Sequence, residues 1–300
     1  TVDKDVTIAI VDINDAAPVF TSDATFSAAE NQTSIGTVTA NDPEGNSFTF
    51  SISGDELAIT SEGVLTFVTA PDYETKTTYT ATVTVTDTDD NSATQEITVN
   101  VTNVNDNNPV FTSNSTFSVA ENESSIGTAT ATDADGDDVT FTVSGSELEI
   151  TSAGVLTFVT APDYETKTSY TATVSASDGT NTTTQDITVN ITNVNDVAPE
   201  FTSDATFSAA ENQTAIGTVT ATDAEGDTVT FTVSGSELEI TSAGVLTFAS
   251  APDYETDTSF TATVTASDGT NSTTQDITVN VTNVNDNNPV ITSNATFTAA

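Results

Sequence analysis

The chain contains no cysteine, histidine, tryptophan or methionine, and only 3 of its 300 residues are Lys or Arg. Each absence removes a class of function. Without cysteine there is no disulfide framework and no thiolate or iron–sulfur chemistry. With neither histidine nor cysteine there is no ordinary nucleophile–base pair. Paired carboxylates can cleave glycosides, but the acids here are better used as ligands, so the chain is not expected to be an enzyme. Against so few cations stand 45 Asp plus Glu, a formal charge of −42. That charge repels nucleic acid and anionic membrane surfaces and makes cations the natural partners. No apolar run approaches the ~20 residues of a membrane span, so no direct membrane insertion is expected. Thr1 opens no signal peptide, which places any secretion signal or anchor outside this stretch.

What is present repeats. Asn103-Val104-Asn105-Asp106-Asn107-Asn108-Pro109 returns as Asn193-Val194-Asn195-Asp196-Val197-Ala198-Pro199 and as Asn283-Val284-Asn285-Asp286-Asn287-Asn288-Pro289. An earlier copy reads Asp12-Ile13-Asn14-Asp15-Ala16-Ala17-Pro18. The Asn-Asp pairs are spaced by 91, 90 and 90 residues, and a strict period of that size means tandem units. Each copy gathers oxygen atoms and ends on a proline, which fixes φ and blocks strand continuation. The linkers therefore read as rigid, oxygen-rich hinges between domains of ordinary size at 19–109, 110–199 and 200–289. Residues 1–18 read as the last strand and linker of a preceding unit and 290–300 as the first strand of a following one, as in a slice of a longer array.

High acidity with modest hydrophobicity can signal disorder. Here, however, Thr and Ser interleave with Val, Ile and Phe, which is strand composition. In the first unit strands are expected over 20–27, 35–40, 47–53, 57–59 and 64–67. Two longer ones carry Tyr79, Ala81, Val83, Val85 and Ile97, Val99, Val101 in alternation with polar residues. The penultimate strand recurs as Tyr170, Ala172, Val174, Ala176 and as Phe260, Ala262, Val264, Ala266. Seven short strands, frequent turns and no helical periodicity imply an all-β fold of tandem antiparallel Greek-key β-sandwiches of the Ig-like kind. A single large barrel does not explain so faithful a linker.

The acidic residues fall in turns rather than strand interiors. Glu30, Asp72, Glu74 and Asp106 belong at the end of unit one, and Asp133, Asp135 and Asp178 at the facing end of unit two. The next junction repeats the set as Glu121, Asp163, Glu165, Asp196, Asp223, Glu225 and Asp268. Ahead of unit one, Asp12, Asn14 and Asp15 face Asp42, Glu44 and Asp87; after unit three come Glu211, Asp253, Glu255, Asn283, Asn285 and Asp286. Bare, each cluster would repel itself at short range. So many hard oxygens suit Ca²⁺, which accepts six to eight of them with flexible geometry, better than the smaller octahedral Mg²⁺. A merely solvated acidic face would not recur at the same offsets. Asp133-Ala134-Asp135-Gly136 also resembles the start of an EF-hand, but position 12 would be Ser144 and no helices flank it. Tyr73, Tyr164 and Tyr254 read either as sugar-stacking platforms or as residues packing beside the acidic motif. The Asn-X-Thr sequons, such as Asn31-Gln32-Thr33, are a by-product of Thr-rich strands.

Taken together these motifs resemble cadherin repeats. The family linker Asp-X-Asn-Asp-Asn-X-Pro is matched by the quoted linkers, and its early glutamate by Glu30, Glu121 and Glu211. Its Asp-Arg-Glu is matched by Asp72-Tyr73-Glu74, Asp163-Tyr164-Glu165 and Asp253-Tyr254-Glu255, its Asp-Ala-Asp by Asp133-Ala134-Asp135, and its late Ala-X-Asp by Asp178 and Asp268. The resemblance implies about three Ca²⁺ per complete junction. It further implies that Asp106 bridges ions, that Asn105 binds through its amide oxygen, and that the carbonyls of Val104 and Asn107 contribute; Val194 and Val197 take these carbonyl places in the second linker. Departures are visible: the first linker aspartate is Asn103, Asn193 and Asn283, and Asp135 is replaced by Glu44 and Glu225. The tryptophan on which classical cadherin strand exchange depends is absent.

The expected function is a calcium-rigidified stalk or extender of a large secreted or cell-surface adhesin, of prokaryotic character given the missing cysteine and Thr-rich acidity. Two alternatives stay open: a module that grips polysaccharide or like domains on other cells, and a subunit of an extracellular filament.

Overall fold

The computed structural model describes residues 3–9 and 13–292. Two compact units emerge, one of Thr1–Ser115, Gly127–Thr157 and Ala172–Ile187, the other of Thr116–Ile126, Phe158–Thr171 and Thr188–Ala300. The first repeat lies wholly in the former and the third wholly in the latter. Among the described residues there is no helix, and hence none long and apolar enough to cross a membrane.

The first repeat comprises β1 (Val19–Phe20), β2 (Thr25–Ala29), β3 (Ser34–Thr37), β4 (Ala40–Asn41), β5 (Phe48–Ile52), β6 (Leu57–Ile59), β7 (Val64–Phe67), β8 (Thr78–Asp87) and β9 (Ser92–Thr102). Three sheets result, ordered β1-β4, β3-β7-β6 and β2-β9-β8-β5. Two expected strands are interrupted. The strand expected over 20–27 breaks into β1 and β2 because the amides of Thr21 and Ser22 both turn to the Thr39 carbonyl, while the Thr39 amide donates to the Ser22 hydroxyl. The chain changes sheets there, and the strand expected over 35–40 breaks into β3 and β4 at the same level. The sandwich is also not antiparallel throughout: β2 runs parallel to β9, in register from Thr25↔Thr98 to Ala29↔Thr102. Such pairing is open to them because the whole repeat lies between the two as the crossover that parallel strands require.

Alternation builds the core. Phe50, Leu57, Leu65, Phe67, Val83, Val85, Ile97 and Val99 are buried, and the intervening Thr residues face outward. Burying one such side chain stabilises by about 1.5–3 kcal/mol. One close approach fixes a residue type: Gly63 sits at φ +91°, and a Cβ there would lie 2.2 Å from the Val38 carbonyl oxygen. Gly154 and Gly244 meet Ala129 and Val219 in the same way.

The third repeat reproduces every element, from Glu200–Phe201 to Ser272–Thr282, including the parallel pairing of Thr206–Ala210 with Thr278 to Thr282. In the middle repeat Thr116–Ala120 runs parallel to Thr188 to Thr192 within the second unit, and Thr140–Val143 pairs antiparallel with Val174 to Ser177 within the first. Of the strand and linker expected over 1–18, residues 3–9 and 13–18 are described and form no strand. Asp12 and the first strand expected over 290–300, apart from 290–292, lie outside the described residues.

Candidate metal centre

The parallel register creates the first cluster. It sets Ala29 beside Thr102, so the next residue, Glu30, meets the linker, and its amide donates to the Thr102 carbonyl at 3.2 Å. Glu30 is only 3% exposed. One oxygen accepts the Val104 amide at 2.8 Å and the other the Tyr73 amide at 2.7 Å. Glu121 does the same with Val194 and Tyr164, and Glu211 with Val284 and Tyr254. One buried glutamate thus ties each linker to its Asp-Tyr-Glu turn. Tyr73 and Tyr254 pack against their cores, which favours the packing reading over a sugar platform.

Around Glu30 converge Glu74, Asp106 and Asp135, with one oxygen of each within 4.8 Å of the others. The equivalent set of Glu121, Glu165, Asp196 and Glu225 meets the same limit, as do Glu211, Asp253 and Glu255. Two smaller groups differ between the junctions: Asp133, Asp135 and Asp137 at one, Asp223, Glu225 and Asp268 at the other. Asp72 and Asp163 instead cap their own turns, Asp72 accepting the amides of Glu74 and Thr75 and the Thr75 hydroxyl. Asp163 repeats this with Glu165 and Thr166, and Asp253 with the Glu255 amide and Thr256 hydroxyl.

A further set of aspartates spends one oxygen on local folding. Asp178 Oδ1 accepts the amides of Thr180 and Asn181, and Asp268 Oδ1 those of Thr270 and Asn271. Asp133, Asp223 and Asp42 hold their loops similarly through Oδ1. In all five the second oxygen, Oδ2, is buried with no donor, and so is Glu44 Oε2; the Asn14 side chain is buried with no donor to its Oδ1 and no acceptor for its Nδ2. A buried carboxylate oxygen without a partner costs more than an ordinary hydrogen bond returns. A hard cation satisfies such oxygens, so the residues present fit Ca²⁺. Asp87 differs, with its other oxygen taking the Asn91 amide. Asp15, Asn193 and Asn285 are exposed.

The electrostatics follow this geometry. Loss of hydration, with the charges of Glu30 and Asp135 adding to it, raises the Glu74 carboxyl above the usual range. Loss of hydration raises Glu165 likewise, helped by Glu121 and Glu225. Asp135 is held low, chiefly by the Asn107 side-chain amide, which together with the Asn107 and Asp106 backbone amides outweighs its partial burial. At Asp178 and Asp268 desolvation pushes upward, but the loop amides prevail and the carboxyls end below their ordinary value.

Several participants were not expected from sequence. Asn31, Asn122 and Asn212 adopt the left-handed conformation, at φ 62°, 63° and 64°, and their side-chain amides donate to Asp106, Asp196 and Asp286. Asn181 donates to the Asn105 side-chain oxygen and the Asn107 carbonyl, both at 3.0 Å, and Asn271 to the two oxygens of Asn195. The signal was an asparagine at one offset in every repeat, masked because it also reads as a sequon or turn residue. The linker asparagines replacing aspartate make bonds of their own: Asn103 donates to the Asp135 carbonyl at 2.7 Å and Asn283 to Glu255 at 3.1 Å.

Comparison with known proteins places the architecture. Residues 14–100 match the bacterial Ig domain family. No curated protein sequence matches the chain. Among solved structures, repeats EC22-24 of mouse cadherin-23 superpose with TM-score 0.70 at 22% identity, covering 90% of this chain and 100% of that one. EC3-6 of protocadherin gammaB7 gives 0.69 at 25% identity, covering 90% and 75%. The protocadherin GammaB4 extracellular domain gives 0.66 at 25%, covering 92% of this chain, which spans about half (51%) of that one. With its recurring strand order and its linkers tied back by a buried glutamate, the chain is an array of tandem cadherin-like β-sandwich domains.

Proposed function

We propose that the chain is a calcium-binding, calcium-rigidified extracellular repeat array that serves as the stalk of a cell-surface adhesin. The observation that carries this reading is the set of buried carboxylate oxygens left without donors beside clusters of converging acids, repeated from one junction to the next. When bound, Ca²⁺ supplies divalent charge and a flexible coordination shell of oxygens. Within the first junction Glu30, Glu74, Asp106, Asp133, Asp135 and Asp178 are the residues to hold it, with Asn105; within the second, Glu121, Glu165, Asp196, Asp223, Glu225 and Asp268, with Asn195. Asp72 and Asp163, whose oxygens cap their turns, present those turns to the site. Without cations the acids repel one another and each joint opens; with them the joint holds one angle. The extracellular placement draws on the cadherin ectodomain architecture, and adhesion on the role such domains carry.

Small-angle scattering of the chain in calcium and after chelation tests the proposal. A larger maximum dimension with a narrower distance distribution is expected in calcium. Identical profiles in the two conditions overturn it.

A further inference from the structure

The first and third repeats share a cavity but differ in the cation beside it, and the difference points to a ligand. In the first repeat a cavity of about 390 Å³ is lined by Asp55, Glu56, Pro71, Asp72 and Tyr79. Lys76 is not among the residues that line it, but it contacts two that are: its ammonium lies 2.5 Å from Glu56 Oε1 and 4.3 Å over the Tyr79 ring. In the second repeat Lys167 stands 4.2 Å over Tyr170. A cation above an aromatic face and beside a carboxylate is held by both the ring quadrupole and the charge.

The third repeat keeps the cavity, at about 300 Å³, and loses the cation. The same backbone positions line it with Glu237, Pro252, Asp253, Asp257 and Phe260. Asp257 stands where the other repeats have Lys76 and Lys167, and Phe260 where they have tyrosine. Residues 200–289 contain no Lys or Arg at all, so no side-chain cation of this repeat can take the equivalent position. The aromatic wall and the carboxylate remain, and a further carboxylate replaces the ammonium.

We propose that this cavity docks a lysine side chain of a partner polypeptide. The lysine of the first repeat marks where the ammonium sits, namely between Glu237 and the face of Phe260. The ring face selects an alkylammonium, whose stem packs on apolar surface, over a small, strongly hydrated metal ion, which gains little from a phenyl ring. Asp257 contributes a second charge for the ammonium to meet. Asp253 is committed to the Thr256 hydroxyl and the Glu255 amide.

The test uses the full chain saturated with calcium and Nα-acetyl-lysine methylamide as probe, with the norleucine analogue as neutral control. The Phe260 ring signal is followed by aromatic NMR and assigned with Phe260→Leu. Saturable movement with the lysine probe alone is expected. Asp257→Lys, which restores the pattern of the other repeats and so should fold, is expected to weaken the response at least tenfold. Lys76→Asp should give Tyr79 the response it lacks in the parent chain. The proposal is overturned if Phe260 does not move, if norleucine moves it equally, if Mg²⁺ displaces the probe at equal ionic strength, or if Asp257→Lys leaves the response unchanged.

Discussion

The first and second junctions carry the same number of carboxylates but hold them differently. At the first, the Asn107 side chain donates to Glu74, Asp106 and Asp135 at 3.2, 3.0 and 2.9 Å, while the Asn107 and Asp106 amides grip Asp135 Oδ2 at 2.8 and 3.0 Å. At the second, Val197 has no side-chain donor. Its amide reaches Glu225 only at 3.4 and 3.3 Å, and the Asp196 amide makes the one short bond, 2.7 Å. Glu225 in turn comes within 4.8 Å of Asp223 and Asp268, whereas Asp135 groups with Asp133 and Asp137. Equal formal charge therefore does not mean equal preorganisation: the acids of one joint are held by several amides, those of the other by a longer arm and fewer short bonds.

The largest expected effect comes from removing the linker acid of each cluster. Asp106→Ala should weaken calcium binding at the first junction by more than the roughly 10–100-fold that follows loss of an outer partner. Asp196→Ala should do the same at the second, with the sandwich cores intact. Calorimetric titration of the 19–199 and 110–289 fragments reads each separately, and parental affinity in either variant removes that residue from the site.

Exchanging the linker residues should move the difference from one joint to the other. Asn107→Val is expected to destabilise the calcium-free first junction by about 1 kcal/mol, the scale of hydrogen bonds to partly exposed charges. Val197→Asn should stabilise the second. Thermal melts in chelator, compared at low and high salt, report both; equal shifts in the two variants would erase the distinction. A smaller gap comes from the arm itself. The first junction is expected to bind calcium more tightly than the second by about 1 kcal/mol or less, because Glu225 immobilises one more bond than Asp135. Glu225→Asp should close that gap, and a weaker second junction in this variant contradicts the geometric argument.

The smallest effect concerns protons. A carboxyl raised in the folded state opposes folding once it ionises, so the penalty from Glu74 appears as pH rises through its folded value and disappears below its unfolded one. Glu74→Gln should therefore slightly raise the calcium-free melting temperature at neutral pH and change nothing under acid. Asp135, held low, works the other way: its stabilisation is present above the unfolded value and is lost as pH falls through the folded one.

Much of this architecture is legible in the residues. Strict alternation along Tyr79, Ala81, Val83 and Val85 identifies β8, since period two has no other reading. The breaks between β1 and β2 and between β3 and β4 are not legible, because they depend on a three-centre bond to Thr39 between residues far apart in sequence. Nor is the parallel pairing of β2 with β9, which no local pattern encodes. Within the site, acids at fixed offsets identify Glu30, Glu74, Asp106 and Asp135. Sequence cannot separate them from Asp72, because only the turn geometry decides that its oxygens face inward to Thr75.

The side-by-side course of β2 and β9 has a mechanical consequence. After the two-residue strand that opens each repeat, the chain runs along one of these strands, and it leaves along the other, both pointing the same way, with five residue pairs in register between them. A pull on the two ends therefore slides the strands past each other, so that the whole ladder bears the load at once; in an antiparallel hairpin the bonds would break in succession from the tip. Resistance of this kind is governed by the barrier to unfolding more than by equilibrium stability, and it belongs to every repeat on its own, whatever the state of the linkers.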